Sequence, residues 1–180
     1  MKVFVVIGSI LFLLYAFGKV DVEFWARAES DSSPASIGPP TLYLPSSAGL
    51  GVGRRTADTR WIRRMNALCL RRNGLENRLD DSGVSATSAA RFAARTLWIW
   101  DDYQRRAASV RAPTTYAREA GWVQQVDAEK RRGIEAALEG ARREDVNAAN
   151  AAVLTLARFS HASYSGFARI GLTDCAQFRA

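Results

Sequence analysis

The chain has few of the side chains that most catalytic and metal centres use. Its 180 residues include one histidine and two cysteines, with no Cys-x-x-Cys pair. Zinc sites need several Cys or His ligands at close spacing, and nucleophilic catalysis needs a base beside a nucleophile. His161 has no Cys, second His or acidic residue three or four positions away, and the serines near it form no nucleophile elbow. We therefore expect no metal, no cofactor and no catalytic residue.

Long uncharged apolar runs are also scarce. The one at the N-terminus, residues 3–17, is shorter than the roughly 20 residues that cross a bilayer, but apolar and aromatic residues extend it to Trp25. We interpret residues 1–29 as an uncleaved signal anchor that enters the membrane through residues 3–25. The alternative is a secretory signal peptide cleaved after Ala28, which fits the small-x-small pattern. Either interpretation exports the rest of the chain.

Proline is rare and concentrated in one segment. Residues 30–56 hold four of the five prolines and many serines and glycines, with no apolar periodicity. This composition predicts a flexible linker. The glycine run at 49–53 has no preceding strand and no Gly-Lys-Ser/Thr ending, so it is not a phosphate-binding loop.

Residues 57–180 are rich in Ala and Arg and poor in β-branched residues, which favours helices. Apolar residues recur at helical spacing in four stretches, separated by a turn at 80–83, by Pro113 and by Gly140, with Gly171 after the last. We predict helices from Asp58 or Thr59 to about Leu79, from Ser82 or Ser85 to about Val110, from Pro113 to Gly140 as C′ residue, and from Glu144 to Ile170. Lys130 interrupts the third stripe. Short connections favour an all-α, up-down antiparallel four-helix bundle after the N-terminal transmembrane or signal helix.

Lysine is scarce, and positive charge comes from arginine. Residues 57–180 contain nineteen Arg and one Lys against fourteen acidic residues, a net charge of +6. A basic surface attracts nucleic acid, anionic lipid or anionic polymer. Acidic residues lie among the arginine pairs, which favours a solvated helical surface, and export argues against nucleic acid. We therefore name the membrane, another envelope protein or an anionic envelope polymer as partners, and expect no nucleic acid.

The two cysteines lie in the first predicted helix and just after the fourth. In an up-down bundle of four helices, the start of the first helix and the end of the last lie at the same end. In an oxidising compartment Cys69 and Cys175 therefore predict a structural disulfide. Closing a loop of this length stabilises by about 4–5 kcal/mol in the chain-entropy model.

Aromatic residues supply the remaining candidate sites. Asp101 and Asp102 stand beside them, but consecutive helical residues point apart, so one substrate would not meet both carboxylates. An exposed Trp98 together with Trp122 would mark a partner surface. Trp100, Tyr103 and Phe167 would line a ligand pocket between helices, and the other interpretation of these residues is that they are core.

Cys69 and the ending Gly171-Leu172-Thr173-Asp174-Cys175 resemble a pattern in exported or membrane-anchored helical-domain proteins of high-GC actinobacteria. The resemblance covers about residues 60–176 and implies a fold without an assigned activity. The sequence thus predicts a single-pass membrane protein with its C-terminal domain outside, or the secreted form. We expect a non-enzymatic cell-envelope interaction or scaffold domain. The alternatives are a small-ligand-binding sensor and a small envelope hydrolase.

Overall fold

The computed structural model describes residues 40–50, 59–79 and 86–176, and outside residues 40–50 and the connecting turns these residues are helical. The residues 1–29 that we interpret as a signal anchor or signal peptide lie outside the described ranges. No helix within those ranges has the length and apolar character to cross a membrane. The helices, in chain order, are α1 (Thr59–Glu76), α2 (Ala86–Ser109), a 3₁₀ turn (Thr114–Tyr116), α3 (Ala117–Arg142), α4 (Val146–Arg169) and the short α5 (Thr173–Ala176).

The long helices pack in chain order, α1 on α2, α2 on α3 and α3 on α4, and α5 joins α4 to α1. Their predicted apolar stripes supply the core, because side chains three and four residues apart share one face of a helix. Buried members include Trp61, Met65, Val123, Val126 and Ile134. The described part of the chain is therefore an all-helical bundle, as the sequence predicts.

Two chain reversals use the same hydrogen-bond pattern with different residues. After α4, Gly171 has φ +85°, the amide of Leu172 donates to the Phe167 carbonyl, and the amide of Gly171 donates to the Ala168 carbonyl. This is a Schellman motif, and it confirms Gly171 as the predicted helix stop. After α3 the equivalent left-handed position is Glu144, with φ 58°.

The predicted end of the third helix at Gly140 is therefore wrong. α3 continues to Arg142, and Gly140 lies buried inside it. A Cβ atom at Gly140 would lie 2.6 Å from the Ala149 backbone nitrogen, so this glycine permits close packing of α4 on α3. The first helix also ends earlier than predicted, at Glu76, and residues 77–79 form a turn. At the start of α4, the Asp145 side chain caps the helix by accepting from the Ala148 amide at 2.9 Å.

The predicted disulfide between Cys69 and Cys175 is confirmed. The two Cα atoms are 5.0 Å apart, and both cysteines are buried. Two asparagines on α1 hold the same tail. Asn66 donates to the Gly171 carbonyl and accepts from the Asp174 amide, at 3.0 and 3.1 Å, while Asn73 donates to the Asp174 carbonyl at 2.9 Å. A covalent bond and three hydrogen bonds thus fix the tail to the first helix.

Residues 40–50, within the predicted flexible linker, lie along α3 and α4, and we call this segment the strap. The buried Trp122 indole donates to the Pro45 carbonyl at 3.0 Å, and Arg118 donates to the carbonyls of Ala48 and Gly49. The Tyr43 amide donates to Glu129 at 3.2 Å, and Leu50 is buried. Linker composition did not predict this packing, because a few apolar residues and exposed backbone carbonyls are enough to anchor an extended segment.

Candidate functional site: a buried charge cluster beside the disulfide

A guanidinium group lies inside the bundle one turn beyond the disulfide on α1. Arg72 is only 5% exposed, and its Cζ atom lies 4.4 Å from the Trp100 ring centroid and 4.9 Å from that of Tyr103. Its Nε and one terminal nitrogen donate to Asn73 Oδ1 at 3.2 and 2.8 Å. The attraction between a cation and an aromatic face reaches about 2 kcal/mol or more when water is excluded. Two rings of α2 therefore help to hold this cation away from solvent.

The buried carboxyl group of the cluster belongs to Asp127 on α3. The Tyr103 hydroxyl donates to Asp127 Oδ2 at 2.9 Å and lies 3.5 Å from the Cys69 sulfur. Burial raises the pKa of Asp127, and the nearby positive charges of Arg72 and Lys130 oppose that rise. Burial and the neighbouring Asp127 carboxylate raise the pKa of Tyr103 well above its ordinary value. Asp127 Oδ1 has no hydrogen-bond partner within the described residues.

A second buried cation, Lys130, stands one turn further along α3. Its Nζ lies 4.9 Å from the Phe167 ring centroid and 5.9 Å from that of Trp100, and the residue is 6% exposed. Burial lowers the pKa of Lys130 to about 8, and repulsion from Arg72 acts in the same direction. Attraction from Asp127 and Glu76 opposes the shift. The Lys130 ammonium group therefore loses its proton at a lower pH than an exposed lysine does.

The cluster balances its charges with its own groups. Glu76 accepts from the Trp100 indole at 2.7 Å, and its other oxygen lies 3.8 Å from Arg72 Nε. Two cations, Arg72 and Lys130, thus face two carboxyl groups, Glu76 and Asp127. Burying a charge is costly unless it is paired and hydrogen-bonded, so the cluster is stable only as a set. Removing one member leaves a buried charge without compensation.

The structure separates the five aromatic residues predicted as a partner or pocket surface. Trp100, Tyr103 and Phe167 meet around the two buried cations, so the space between them holds Arg72 and Lys130. Trp122 is also buried, edge-on to Phe167 with ring centroids 5.0 Å apart and beneath the strap. Trp98 is 61% exposed and lies on the opposite side of α2 from Trp100. It alone of the five belongs to an open surface.

Sequence reasoning missed the charged members of the cluster, although the signal was present. Lys130 lies seven residues after Val123 and four before Ile134, so it occupies a position of the buried α3 stripe and does not merely interrupt it. Arg72 lies three residues after Cys69 and seven after Met65, again on the buried stripe of its helix. Charged residues at core-facing positions predict a buried ionic pair when two helices supply them. Which helices face each other was not readable from the sequence.

The remaining polar candidates lie apart from the cluster. Asp101 accepts from Arg131 on α3, Asp102 accepts from Arg106 on its own helix, and His161 is exposed. No group of three His, Cys, Asp or Glu side chains within the described ranges is placed to hold a metal ion. The cluster can hold charge inside the bundle and lock α1, α2, α3 and the tail together. Comparisons of the chain with protein-family models, with curated proteins and with solved structures gave no match.

Proposed function

We propose that the chain is a non-enzymatic interaction or scaffold domain held at the outer face of a cell membrane. In this proposal an up-down antiparallel four-helix bundle stands outside, and residues 1–29 are its uncleaved membrane anchor. The observation that carries the proposal is the buried Cys69–Cys175 disulfide. Structural disulfides persist in oxidising compartments and are rare in reducing ones. The resemblance to exported actinobacterial helical domains points the same way and is part of the proposal.

The charge cluster supports a scaffold rather than a reaction centre. Arg72 pairs with Glu76, the Tyr103 hydroxyl donates to Asp127, and aromatic rings cover both Arg72 and Lys130. A catalytic group must reach a substrate. Here the polar groups instead join helices, which favours a rigid body that presents its outer surface to a partner.

The proposal is tested by following the full chain in its own cell. We expect it in the membrane fraction, with its N-terminal residue at Met1 or Lys2. Its cysteines should resist a maleimide reagent until reductant is added, and protease added to spheroplasts should cut it. Free thiols in freshly quenched cells, together with protection from external protease, would contradict the export on which the proposal rests. A protein found in the medium with Glu29 as its first residue would show that residues 1–28 are a cleaved signal peptide and not an anchor.

A small-ligand sensor is the second candidate, and one observation favours it. The three aromatic residues predicted to line a pocket do converge, and Asp127 Oδ1 beside them lacks a hydrogen-bond partner within the described residues. Arg72 and Lys130 fill the space, which favours the scaffold. Electron density in a crystal structure decides between the two. An ordered organic molecule against Asp127 would favour the sensor, and a water molecule there would favour the scaffold. The envelope hydrolase gains no support from the described contacts.

A further inference from the structure

The outward faces of α1 and α2 carry charge of one sign. Every exposed charged residue on these two helices is an arginine: Arg60, Arg63, Arg64, Arg71, Arg91, Arg95, Arg105 and Arg106. The three acidic residues of α1 and α2 already have partners. Glu76 accepts a hydrogen bond from Trp100, Asp101 pairs with Arg131, and Asp102 pairs with Arg106. This half of the bundle therefore presents a basic surface.

One row of α2 runs straight along that surface. Its members are separated by four, three, four and three residues, so they share one face of the helix over about 20 Å: Arg91, Arg95, Trp98, Asp102 and Arg105. We call these five residues the basic stripe. Trp98 lies at its centre, 61% exposed. Arginines stand on both sides of this indole.

Asp102, the one acidic member of the stripe, does not interrupt its positive character. It pairs with Arg106 at 2.8 Å and with Arg105 at 3.4 Å. The hydrogen bond from Arg106 is the main cause of its lowered pKa, and Arg71 on α1 contributes attraction as well. α1 packs against α2, so the exposed arginines of the two helices belong to the same half of the bundle.

The other half of the bundle has a smaller excess of positive charge. α3 has five basic and five acidic residues, and its Arg131, Arg132 and the adjoining Arg143 are paired with acidic residues. Arg118 is bonded to the strap. Basic residues thus outnumber acidic ones by nine to three on α1 and α2 but by only seven to five on α3 and α4, so the positive charge is not spread uniformly over the bundle.

We propose that the basic stripe binds the anionic phospholipid headgroups of the membrane to which the chain is tethered. Guanidinium groups match phosphate oxygens with two hydrogen bonds, and Trp favours the interface between headgroups and acyl chains. Each basic residue near an anionic membrane adds electrostatic attraction to the surface. A row of side chains along one face of a helix can meet a plane of headgroups, as amphipathic surface helices do.

The tether supports this choice of partner, and to that extent the inference rests on the proposed function. Because the strap is bound to the bundle from residue 40, only residues 26–39 remain between the apolar segment and the folded domain. Fourteen residues reach at most about 50 Å even when fully extended. A short tether gives the stripe a high effective concentration of headgroups. Weak contacts between single arginines and headgroups are then enough to keep the stripe on the membrane.

The test uses the full chain in vesicles and reads the position of Trp98 directly. In a Trp25→Phe background, Trp98 is the one exposed tryptophan, since the other three are buried: Trp61, Trp100 and Trp122. The vesicles contain acyl-brominated phosphatidylcholine, with or without phosphatidylglycerol, because bromine quenches indole fluorescence on contact. We expect a loss of emission that requires phosphatidylglycerol, disappears in a further Trp98→Phe variant, and is reversed in 1 M salt, where the Debye length is about 3 Å.

A matched pair of triple variants separates the stripe from overall charge. Arg91→Gln, Arg95→Gln and Arg105→Gln should abolish the quenching. Arg142→Gln, Arg143→Gln and Arg158→Gln remove equal charge from exposed positions at the end of α3 and on α4, and should leave it unchanged. Equal loss in both variants would overturn the proposal. So would Trp98 emission that ignores phosphatidylglycerol but shifts with soluble polyphosphate, which would assign the stripe to a polyanion.

Failure of the inference is distinguishable from failure of the tether. Flotation of the vesicles reports whether the chain is anchored, and Trp98 quenching reports whether the stripe touches lipid. An anchored chain without quenching would overturn this inference and leave the proposed function standing. A chain that neither floats nor is quenched would overturn both.

Discussion

The α1–α2 half and the α3–α4 half of the bundle are held together by different means. α1 and α2 meet across a guanidinium group enclosed by aromatic rings, and the disulfide ties α1 to the tail. α3 and α4 meet across small residues, with Gly140 against the Ala149 backbone, Gly133 against Leu156 and Gly166 against Trp122. The first half depends on covalent and electrostatic pairing, the second on close approach. A substitution that is harmless in one half should therefore be damaging in the other.

The largest effect should come from breaking the covalent link of the first half. Replacing both cysteines, with Cys69→Ser and Cys175→Ser, should lower the free energy of unfolding by about 2–5 kcal/mol in urea denaturation. Reduction of the wild-type protein serves as the control and should give a similar loss. An unchanged free energy of unfolding would show that Asn66 and Asn73 hold the tail without the bridge.

The second half should be the more sensitive to added volume. In Gly140→Ala the new methyl group would press on backbone atoms of α4, which cannot rotate away, so we expect destabilisation by about 1–3 kcal/mol. Gly74→Ala is the matched control on α1. No neighbouring atom of the described residues lies within 4 Å of its added methyl group, and the gain in helix propensity should stabilise by up to about 1 kcal/mol. Equal effects at the two glycines would remove the contrast between the halves.

The charged core predicts a dependence of stability on pH. The pKa of Lys130 is about 8 in the folded protein against 10.5 for the free side chain, so the unfolded chain binds more protons between these values. Stability should therefore rise with pH, on the order of 1–2 kcal/mol from pH 8 to pH 9.5. Above pH 10 the raised pKa of Tyr103 opposes the trend, because the unfolded tyrosine then ionises first.

Lys130→Met tests whether that rise belongs to Lys130. An apolar side chain of similar length keeps the contacts with Phe167 and Trp100 and has no proton to lose, so the rise between pH 8 and pH 9.5 should vanish. The other two lysines of the sequence, Lys2 and Lys19, are unaltered in this variant, so the comparison isolates Lys130. Urea denaturation at the two pH values gives the measurement. A rise that persists in Lys130→Met would assign it to another group.

The smallest expected effect concerns the two Schellman turns. Glu144 holds a left-handed backbone conformation that costs a non-glycine residue about 1 kcal/mol, so Glu144→Gly should raise the thermal midpoint. The reciprocal change, Gly171→Ala, should lower it by a comparable amount, since Gly171 has φ +85°. If both changes are neutral, neither turn limits the stability of the bundle.

Gly140 and Gly171 show how much of the fold the sequence could predict. Each glycine follows an apolar stripe, and the same signal predicted a helix stop at both. The prediction was right at Gly171 and wrong at Gly140. Gly140 lies inside α3, where the absence of a side chain lets the backbone of α4 pack closely. The existence and number of the long helices depend on local periodicity and were predictable. The end of α3 depends on tertiary contact and was not.

The candidate site also has a part that the sequence predicts and a part that it does not. The disulfide was predictable because the chain has two cysteines and the topology places them together. The charge cluster was not, because Arg72, Asp127 and Lys130 come from two helices whose mutual orientation no local pattern gives. The strap was missed for a related reason. Proline and serine content describes an isolated segment, whereas residues 40–50 take their conformation from hydrogen bonds with Trp122 and Arg118.

The disulfide also limits the errors that the chain can make during maturation. The bridge spans 106 residues and encloses α2, α3 and α4 completely, so it closes only after most of the chain has emerged. With two cysteines there is one intramolecular pairing, and no isomerase is needed to reshuffle bonds. The mispaired products are covalent dimers or larger oligomers formed between incompletely folded chains. Since both sulfur atoms are buried once the helices pack, folding itself removes the thiols from that side reaction.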